Sequence, residues 1–544
     1  MYYKKLNSKL PYYFIVLILL STCARVSSPT GGPEDENPPQ LVRSVPESGQ
    51  LNYKGQSIVL VFDEIIQTNQ IETGLIITPQ PEGFFRTRAA RNTVELIFTE
   101  PFKDSTTYAF SFANTIQDVT ARNPAEDLTL SFSTGDYLDS LTIGGQILNL
   151  YDQLPMEATL VSLFSATDSL NVLTGSAQYY AKTDTAGRYR FQNLPPGDYR
   201  VYAFQDENNN NKADAEGELY GFYPDTLRLS ENISEIDFTV QQLSTKALRR
   251  SSGRHFGKYY ELTFNKSITD FRPIDGDNYT YLQKNEETVR FYRNNQLYND
   301  TTQLIFEAQD SVGNVLVDTA SFYFVESEIE PDPLKISITP QGSLLRPNDT
   351  ITIQFNKPIS LQQFDSLSLS LDSLNVFPFP QENARSDQYN SVLSFPIKIR
   401  DYAPRPDQKL TLQMKKGSFI SIDGDTSAFV KKTYQAAQES ETALISGRII
   451  SSAQNVIVQL LNTRTLDVIQ EVNTSSFQFS YLDAGSYMIR VIQDINGNGK
   501  WDTGNILLNE SPEPAQFYVD RNSNSQLIEV RKNWAVTDLI ITLR

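Results

Sequence analysis

Two short segments of this 544-residue chain place oxygen-bearing side chains at regular intervals. They are Asp206-Glu-Asn208-Asn-Asn210-Asn-Lys212-Ala-Asp214 and Asp494-Ile-Asn496-Gly-Asn498-Gly499-Lys500-Trp-Asp502. Carboxylate or amide oxygens fall at positions 1, 3, 5 and 9 of each. Position 7 is Lys212 or Lys500, where a Ca²⁺ loop supplies a backbone carbonyl. In a tight loop every second side chain converges on one point, so this alternation suits a hard cation. Position 6 must turn sharply, often through positive φ; Gly499 suits that, and Asn211 is the next best residue. Glu218, at position 13, offers a closing carboxylate to the first loop. In the second, Asn505 stands at position 12, and the candidates are the later Glu510 and Glu513. Two carboxylates and two amides predict modest affinity and a loop-stiffening role. The same residues also suit a polar hairpin held by Asx-turns without an ion.

The segment before each loop is the strongest internal repeat. Asp184-Thr-Ala-Gly187-Arg-Tyr189-Arg-Phe191-Gln-Asn-Leu194-Pro-Pro-Gly197-Asp-Tyr199 is echoed by Phe477-Gln-Phe479-Ser-Tyr-Leu482-Asp-Ala-Gly485-Ser-Tyr487. In both copies the glycine precedes the loop aspartate by nine residues. Gly197 and Gly485 are expected to serve the turn, with Tyr199 and Tyr487 opening the next strand. This signature resembles carboxypeptidase-regulatory or transthyretin-like β-sandwiches, over about 140–243 and 442–544.

A second repeat is a strand ending in Phe-(Asp/Asn)-(Glu/Lys). It occurs at Phe62-Asp63-Glu64-Ile65, Phe264-Asn265-Lys266-Ser267-Ile268 and Phe355-Asn356-Lys357-Pro358-Ile359. With Thr107-Tyr-Ala-Phe-Ser-Phe112, Asp118 and Leu130-Ser-Phe-Ser-Thr134-Gly135 in the first copy, it resembles the SbsA-type bacterial Ig-like domain. The resemblance covers about 40–136, 256–327 and 334–437. Each Phe reads as a core residue at a strand end. Between these motifs run short alternating segments such as Ser57-Ile-Val-Leu-Val-Phe62 and Val456-Ile-Val-Gln-Leu-Leu461, with turn signals every 8–12 residues. No long amphipathic helix is predicted. The expected fold is all-β: tandem Ig-like and transthyretin-like β-sandwiches in an elongated multidomain array. Joints are expected near 135–140, 244–258, 326–333 and 437–441.

The N-terminus fixes where such an array would work. Lys4, Lys5 and Lys9 precede an apolar run that ends at Cys23, the only cysteine. About 13 apolar residues make a secretory signal, whereas a spanning helix needs roughly 20. Leu20-Ser21-Thr22-Cys23 resembles the lipobox of bacterial lipoproteins, which implies a signal peptide over 1–22 and a diacylglycerol on the Cys23 thiol. Thr22 departs from that family's preference for Gly, Ala or Ser. The segment also reads as an ordinary signal peptide with an incidental cysteine. Residues 23–39, rich in Pro, Gly, Ser and acids, read as a flexible tether. Pro29-Thr-Gly-Gly-Pro33 followed by Pro38-Pro39 resembles the start of Bacteroidetes lipoproteins that open with an Ig-like domain. The resemblance implies an outer-membrane lipoprotein of the cell envelope, on the periplasmic face or the cell surface.

Composition bounds the chemistry. A formal charge of −18 repels phosphate backbones and argues against nucleic acid as partner. No thiol after Cys23 is left for a disulfide. His255, the single histidine, falls in the basic joint Arg249-Arg250-Ser-Ser-Gly-Arg254-His255 with no companion for a zinc site or triad; that joint offers contact to an acidic partner or lipid headgroups. No P-loop, dinucleotide fingerprint or nucleophile elbow is evident. The expectation is a non-enzymatic scaffold or adaptor for an envelope protein complex, attached by its lipid. The alternatives are a carbohydrate-binding accessory protein, which needs an exposed aromatic platform such as Trp501, or a calcium-stiffened adhesin.

Overall fold

A computed structural model describes residues 35–543 except 127, 215, 243, 277–278, 294–300, 326–331, 348, 404 and 406. Cys23, the signal segment and most of the tether lie outside the described residues. The chain divides into two compact units, 1–139 and 140–544, parting within the joint expected near 135–140.

Strand after strand buries alternate residues, as period-2 sequences dictate. In Ser57–Phe62 the side chains of Ile58, Leu60 and Phe62 are buried and those between are half-exposed. Helices among the described residues are single turns of three or four residues. The fold is all-β.

The first unit faces the sheet of Leu41–Val45, Ser57–Phe62, Thr93–Phe98 and Phe85–Ala90 with the sheet of Ile76–Thr78, Thr107–Ser111 and Thr129–Ser133. Between them lies an aromatic core in which Phe98, Phe102, Tyr108, Phe110 and Phe132 pack with ring centroids 4.8–6.4 Å apart.

The second unit holds separate cores, centred on Ile143, Leu163 and Val201; on Leu262, Phe291 and Phe306; on Ile353, Phe395 and Leu412; and on Ile445, Leu460 and Ile489. The third sandwich begins earlier than expected. Arg250–Phe256 is a strand paired with Tyr259–Phe264, and Leu248 is already in the core. The joint placed at 244–258 is therefore largely sandwich, because Arg and Ser on an edge strand leave no apolar period to read. His255 lies on that edge and accepts the Tyr323 N–H at 3.4 Å, with its ring against Tyr260 and Tyr323.

The Phe-(Asp/Asn)-(Glu/Lys) repeat has a structural explanation. Its phenylalanines, Phe62, Phe264 and Phe355, are buried. The second residue clamps the chain entering each sandwich: Asn265 accepts the Arg249 N–H and donates to the Ala247 carbonyl, and Asn356 does the same with Lys335 and Pro333. In the first unit Asp63 accepts the Gln40 N–H at 2.8 Å. The third residue, where it is lysine, goes inward. Lys266 pairs with Asp310, and Lys357, with no exposed side-chain surface, lies 2.8 Å from Asp423 and 3.3 Å from Asp425.

The two copies of the repeat around Tyr189 and Phe477 match in register. Gly145 pairs with Tyr189 and Ile143 with Phe191; Gly447 pairs with Phe477 and Ile445 with Phe479. In both copies a tyrosine hydroxyl reaches back four residues, Tyr199 to the Pro195 carbonyl and Tyr487 to that of Asp483. Gly197 and Gly485 were expected to serve the turn, but their φ angles are not left-handed, and nothing lies within 4 Å of a Cβ built on Gly485. The left-handed residues are Asn193 (φ 56°) and Tyr481 (φ 57°), four positions earlier.

Candidate cation loops and clasps between sandwiches

Each Asp/Asn loop leaves the end of a central strand, Gly197–Phe204 or Gly485–Gln493. The chain must reverse there without losing its backbone hydrogen bonds, and side-chain oxygens supply them. Asp206 accepts the N–H groups of Asn210 and Asn211, and Asp494 those of Asn498 and Gly499. Position 6 has φ 60° at Asn211 and 73° at Gly499, and position 4 is also left-handed, 59° at Asn209 and 71° at Gly497. Asn and Gly are the residues that adopt such a turn at position 4 most readily.

The loops are wired alike further on. The amides of Asn208 and Asn210 donate to Asp214, and those of Asn496 and Asn498 donate to Asp502. Lys212 and Lys500 donate their backbone N–H to Asn210 and Asn498. Glu218, buried, braces the loop with both oxygens, accepting the N–H groups of Glu207 and Asp214. Glu513, equally buried, takes those of Ile495 and Asp502. Glu513 is thus the counterpart of Glu218. Of the two candidates the spacing leaves open, Glu513 takes this place across a longer excursion from Asp502, while Glu510 pairs by backbone with Asn505. Among the described residues no three His, Cys, Asp or Glu side chains form a metal-holding group. The amide oxygens accept backbone N–H groups within each loop, Asn208 and Asn210 those of Asn210 and Lys212, and Asn496 and Asn498 those of Asn498 and Lys500; side chains of this kind, if they turned to a cation, would suit Ca²⁺ over a softer metal.

Neighbouring side chains tie the two loops to one strand. In Phe238–Gln242, Gln241 donates to the Thr503 carbonyl of the second loop, and Gln242 donates to the Gly217 carbonyl of the first at 2.7 Å. Beside this lies the clasp between the second and last sandwiches. Arg490 is buried; its guanidinium donates to the Gln459 amide oxygen at 2.7 and 2.9 Å and to the Tyr151 carbonyl at 3.2 Å. It also lies 4.3 Å from the Trp501 ring centroid, and Tyr151 packs edge-on against the same indole. Burial without an adjacent carboxylate draws the Arg490 guanidinium down to about 10, despite Tyr151 and Glu471 nearby. Trp501, considered above as a sugar platform, is instead taken up here, its indole N–H donating to the Glu513 carbonyl.

A second clasp joins the third and fourth sandwiches. Arg290 and Glu261, both buried, pair at 2.6 Å, with Lys284 2.9 Å from the same carboxylate. The Arg290 guanidinium lies 4.6 Å from the Tyr259 ring centroid, and the Tyr259 hydroxyl donates at 2.5 Å to Asp423, the partner of Lys357. Burial and then Asp423 push the Tyr259 hydroxyl upward. Burial opposes ionisation of Glu261 and Asp425, but hydrogen bonds from Lys284 and Arg290, and from Ser421, Leu334 and Lys357, hold both carboxyls below their ordinary values. A carboxyl lowered on folding adds stability that is complete above its unfolded value and is lost as pH falls through the folded one. Acid titration followed by tryptophan emission should show the second unit losing stability as pH drops below the ordinary values of 4.5 and 3.8.

Comparison with known proteins agrees with this architecture in part. Residues 35–134 match the bacterial Ig-like domain family, and residues 157–214 match domain II of polysaccharide lyase family 4. The chain thus contains an Ig-like domain in its first unit. No curated protein matches the chain. Among solved structures, the major pilin subunit BcpA of Bacillus cereus is 10% identical, with 75% of this chain and 99% of the pilin covered and a TM-score of 0.13. The S-layer protein SbsC is 12% identical over 89% of this chain and 67% of its own, with a TM-score of 0.15. The human desmocollin-1 ectodomain is 11% identical over 55% and 60%, also with a TM-score of 0.15. At such TM-scores these likenesses carry no functional weight.

Proposed function

We propose that the chain is a non-enzymatic lipoprotein of the outer membrane, anchored through Cys23, that serves as a scaffold or adaptor for an envelope protein complex. The observation that supports it most is the way the sandwiches of the second unit are joined. Arg490 with Tyr151 and Trp501, and Tyr259 with Asp423, are hydrogen-bonded clasps built around a buried arginine and a buried tyrosine. Such joints fix the spacing of the domains they connect, as a protein that holds partners in register requires. Metabolic labelling with a palmitate analogue tests the anchor: wild type should carry label and remain with the outer membrane, and Cys23→Ala should do neither. Label on the alanine variant would refute it.

Within this reading the two Asp/Asn loops bind Ca²⁺ with Asp206, Asn208, Asn210, the Lys212 carbonyl and Asp214, and with Asp494, Asn496, Asn498, the Lys500 carbonyl and Asp502. Glu218 and Glu513 brace them. The ion would stiffen the loops beside the Gln241–Gln242 strand. Millimolar Ca²⁺ should raise the thermal midpoint of the full chain, and the shift should vanish in Asp206→Ala/Asp494→Ala. No calorimetric heat and no shift in wild type would end the idea.

A further inference from the structure

We propose that the last sandwich carries a binding cleft for a neutral oligosaccharide, built on Trp534 and Tyr481. This goes beyond the scaffold reading and can fail without it. The cleft holds about 420 Å³, within the roughly 300–1,000 Å³ usual for ligand pockets. Gln478, Ser480, Asn533 and Glu439 line it beside the two aromatics.

The aromatics are presented rather than merely left outside. Trp534 is 49% exposed, yet its surroundings are fixed. Its N–H donates to the Arg531 carbonyl, its carbonyl accepts the Leu444 N–H, and the Arg531 guanidinium lies 5.0 Å from its ring centroid. Tyr481 occupies a left-handed position, φ 57°, whose counterpart in the second sandwich is Asn193, φ 56°. Asparagine tolerates that conformation and a bulky aromatic does not. The last sandwich therefore keeps a conformationally costly tyrosine where its sister copy has the easy residue, and strain of this kind gathers at ligand sites. Asn533, also on the cleft, is left-handed at φ 58°.

The lining matches a sugar. The C–H face of a pyranose packs on an aromatic ring, while its hydroxyls need donors and acceptors side by side. Gln478 and Asn533 supply amides, Ser480 and Tyr481 hydroxyls, and Glu439 a carboxylate that accepts the Tyr481 hydroxyl at 3.3 Å. Glu439 is the one charged residue among the described lining, and nearby Lys532 is paired with Glu441 at 2.8 Å. A uronate or sulfated sugar would be repelled by the Glu439 carboxylate in the lining, so the chemistry favours neutral chains.

Intrinsic fluorescence of the full chain reads this directly, because it has two tryptophans and Trp501 is held in the interdomain clasp. Cellohexaose, xylohexaose, mannohexaose and maltohexaose are the probes, with hexagalacturonate as the acidic comparison. At least one neutral probe should give a saturable emission change with a dissociation constant near or below ~1 mM. Trp534→Ala should abolish it, and Gln478→Ala should weaken binding about tenfold or more. No change with any neutral probe, equal binding by both variants in calorimetry, or preference for hexagalacturonate would overturn the proposal.

Discussion

Replacing Lys357 by methionine should lower the stability of the second unit by about 3–5 kcal/mol, the usual cost of stranding one member of a buried pair. The lysine side chain has no exposed surface, and Asp423 beside it is only 5% exposed. Without the ammonium, Asp423 is left in a buried site without its lysine partner. Asp423 also accepts the Tyr259 hydroxyl, so the loss should reach the joint between the third and fourth sandwiches. Urea unfolding should show a lower midpoint, and limited proteolysis should open the joint first. Lys54→Met, whose partner Asp104 is exposed, should change stability by less than ~1 kcal/mol. A Lys357→Met loss of that smaller size would show that the buried lysine does not hold the joint.

Gly145→Val should be nearly as damaging in the second sandwich. A Cβ at Gly145 would stand 2.0 Å from the Ile236 carbonyl oxygen and 2.5 Å from its carbon. Those are backbone atoms, held by the parallel pairing of Ile147 with Phe238. They cannot turn aside as a side chain can, so the cost should exceed the ~1–3 kcal/mol of ordinary overpacking. Gly485→Ala, in open space, should be nearly silent by the same denaturation assay. Equal effects at the two glycines would show that this close approach does not constrain the fold.

These positions show what a linear reading can and cannot reach. Strand period, the Phe-(Asp/Asn)-(Glu/Lys) repeat and the Tyr189/Phe191 and Phe477/Phe479 repeat are local patterns, and they lead to an all-β chain of sandwiches. The alternating oxygens of the two loops are local too, and so is the positive φ at Asn211 and Gly499. Contacts made by distant residues are not. Tyr259 meets Asp423 across 164 positions, and Arg490 meets Tyr151 across 339. Nothing in either neighbourhood marks these residues as joint-forming. Glu513 is legible only as one of two candidates beside Glu510, because the register with Glu218 breaks after Asp502. Gly145, Asn193 and Tyr481 matter through backbone approach and handedness, which residue type alone does not reveal. The proposed lipid anchor is the opposite case: its motif is read at Cys23 in sequence, and Cys23 lies outside the described residues.

The central claim is that a lipid-anchored set of sandwiches holds an envelope partner. Affinity purification of the full chain from detergent-solubilised membranes, under mild crosslinking, tests it most directly. The expected result is recovery of the same outer-membrane protein in repeated trials. That recovery should be lost when Tyr259→Phe and Lys357→Met loosen the joint between the third and fourth sandwiches. Repeated recovery of the chain alone, in a preparation that retains its lipid, would contradict the scaffold account.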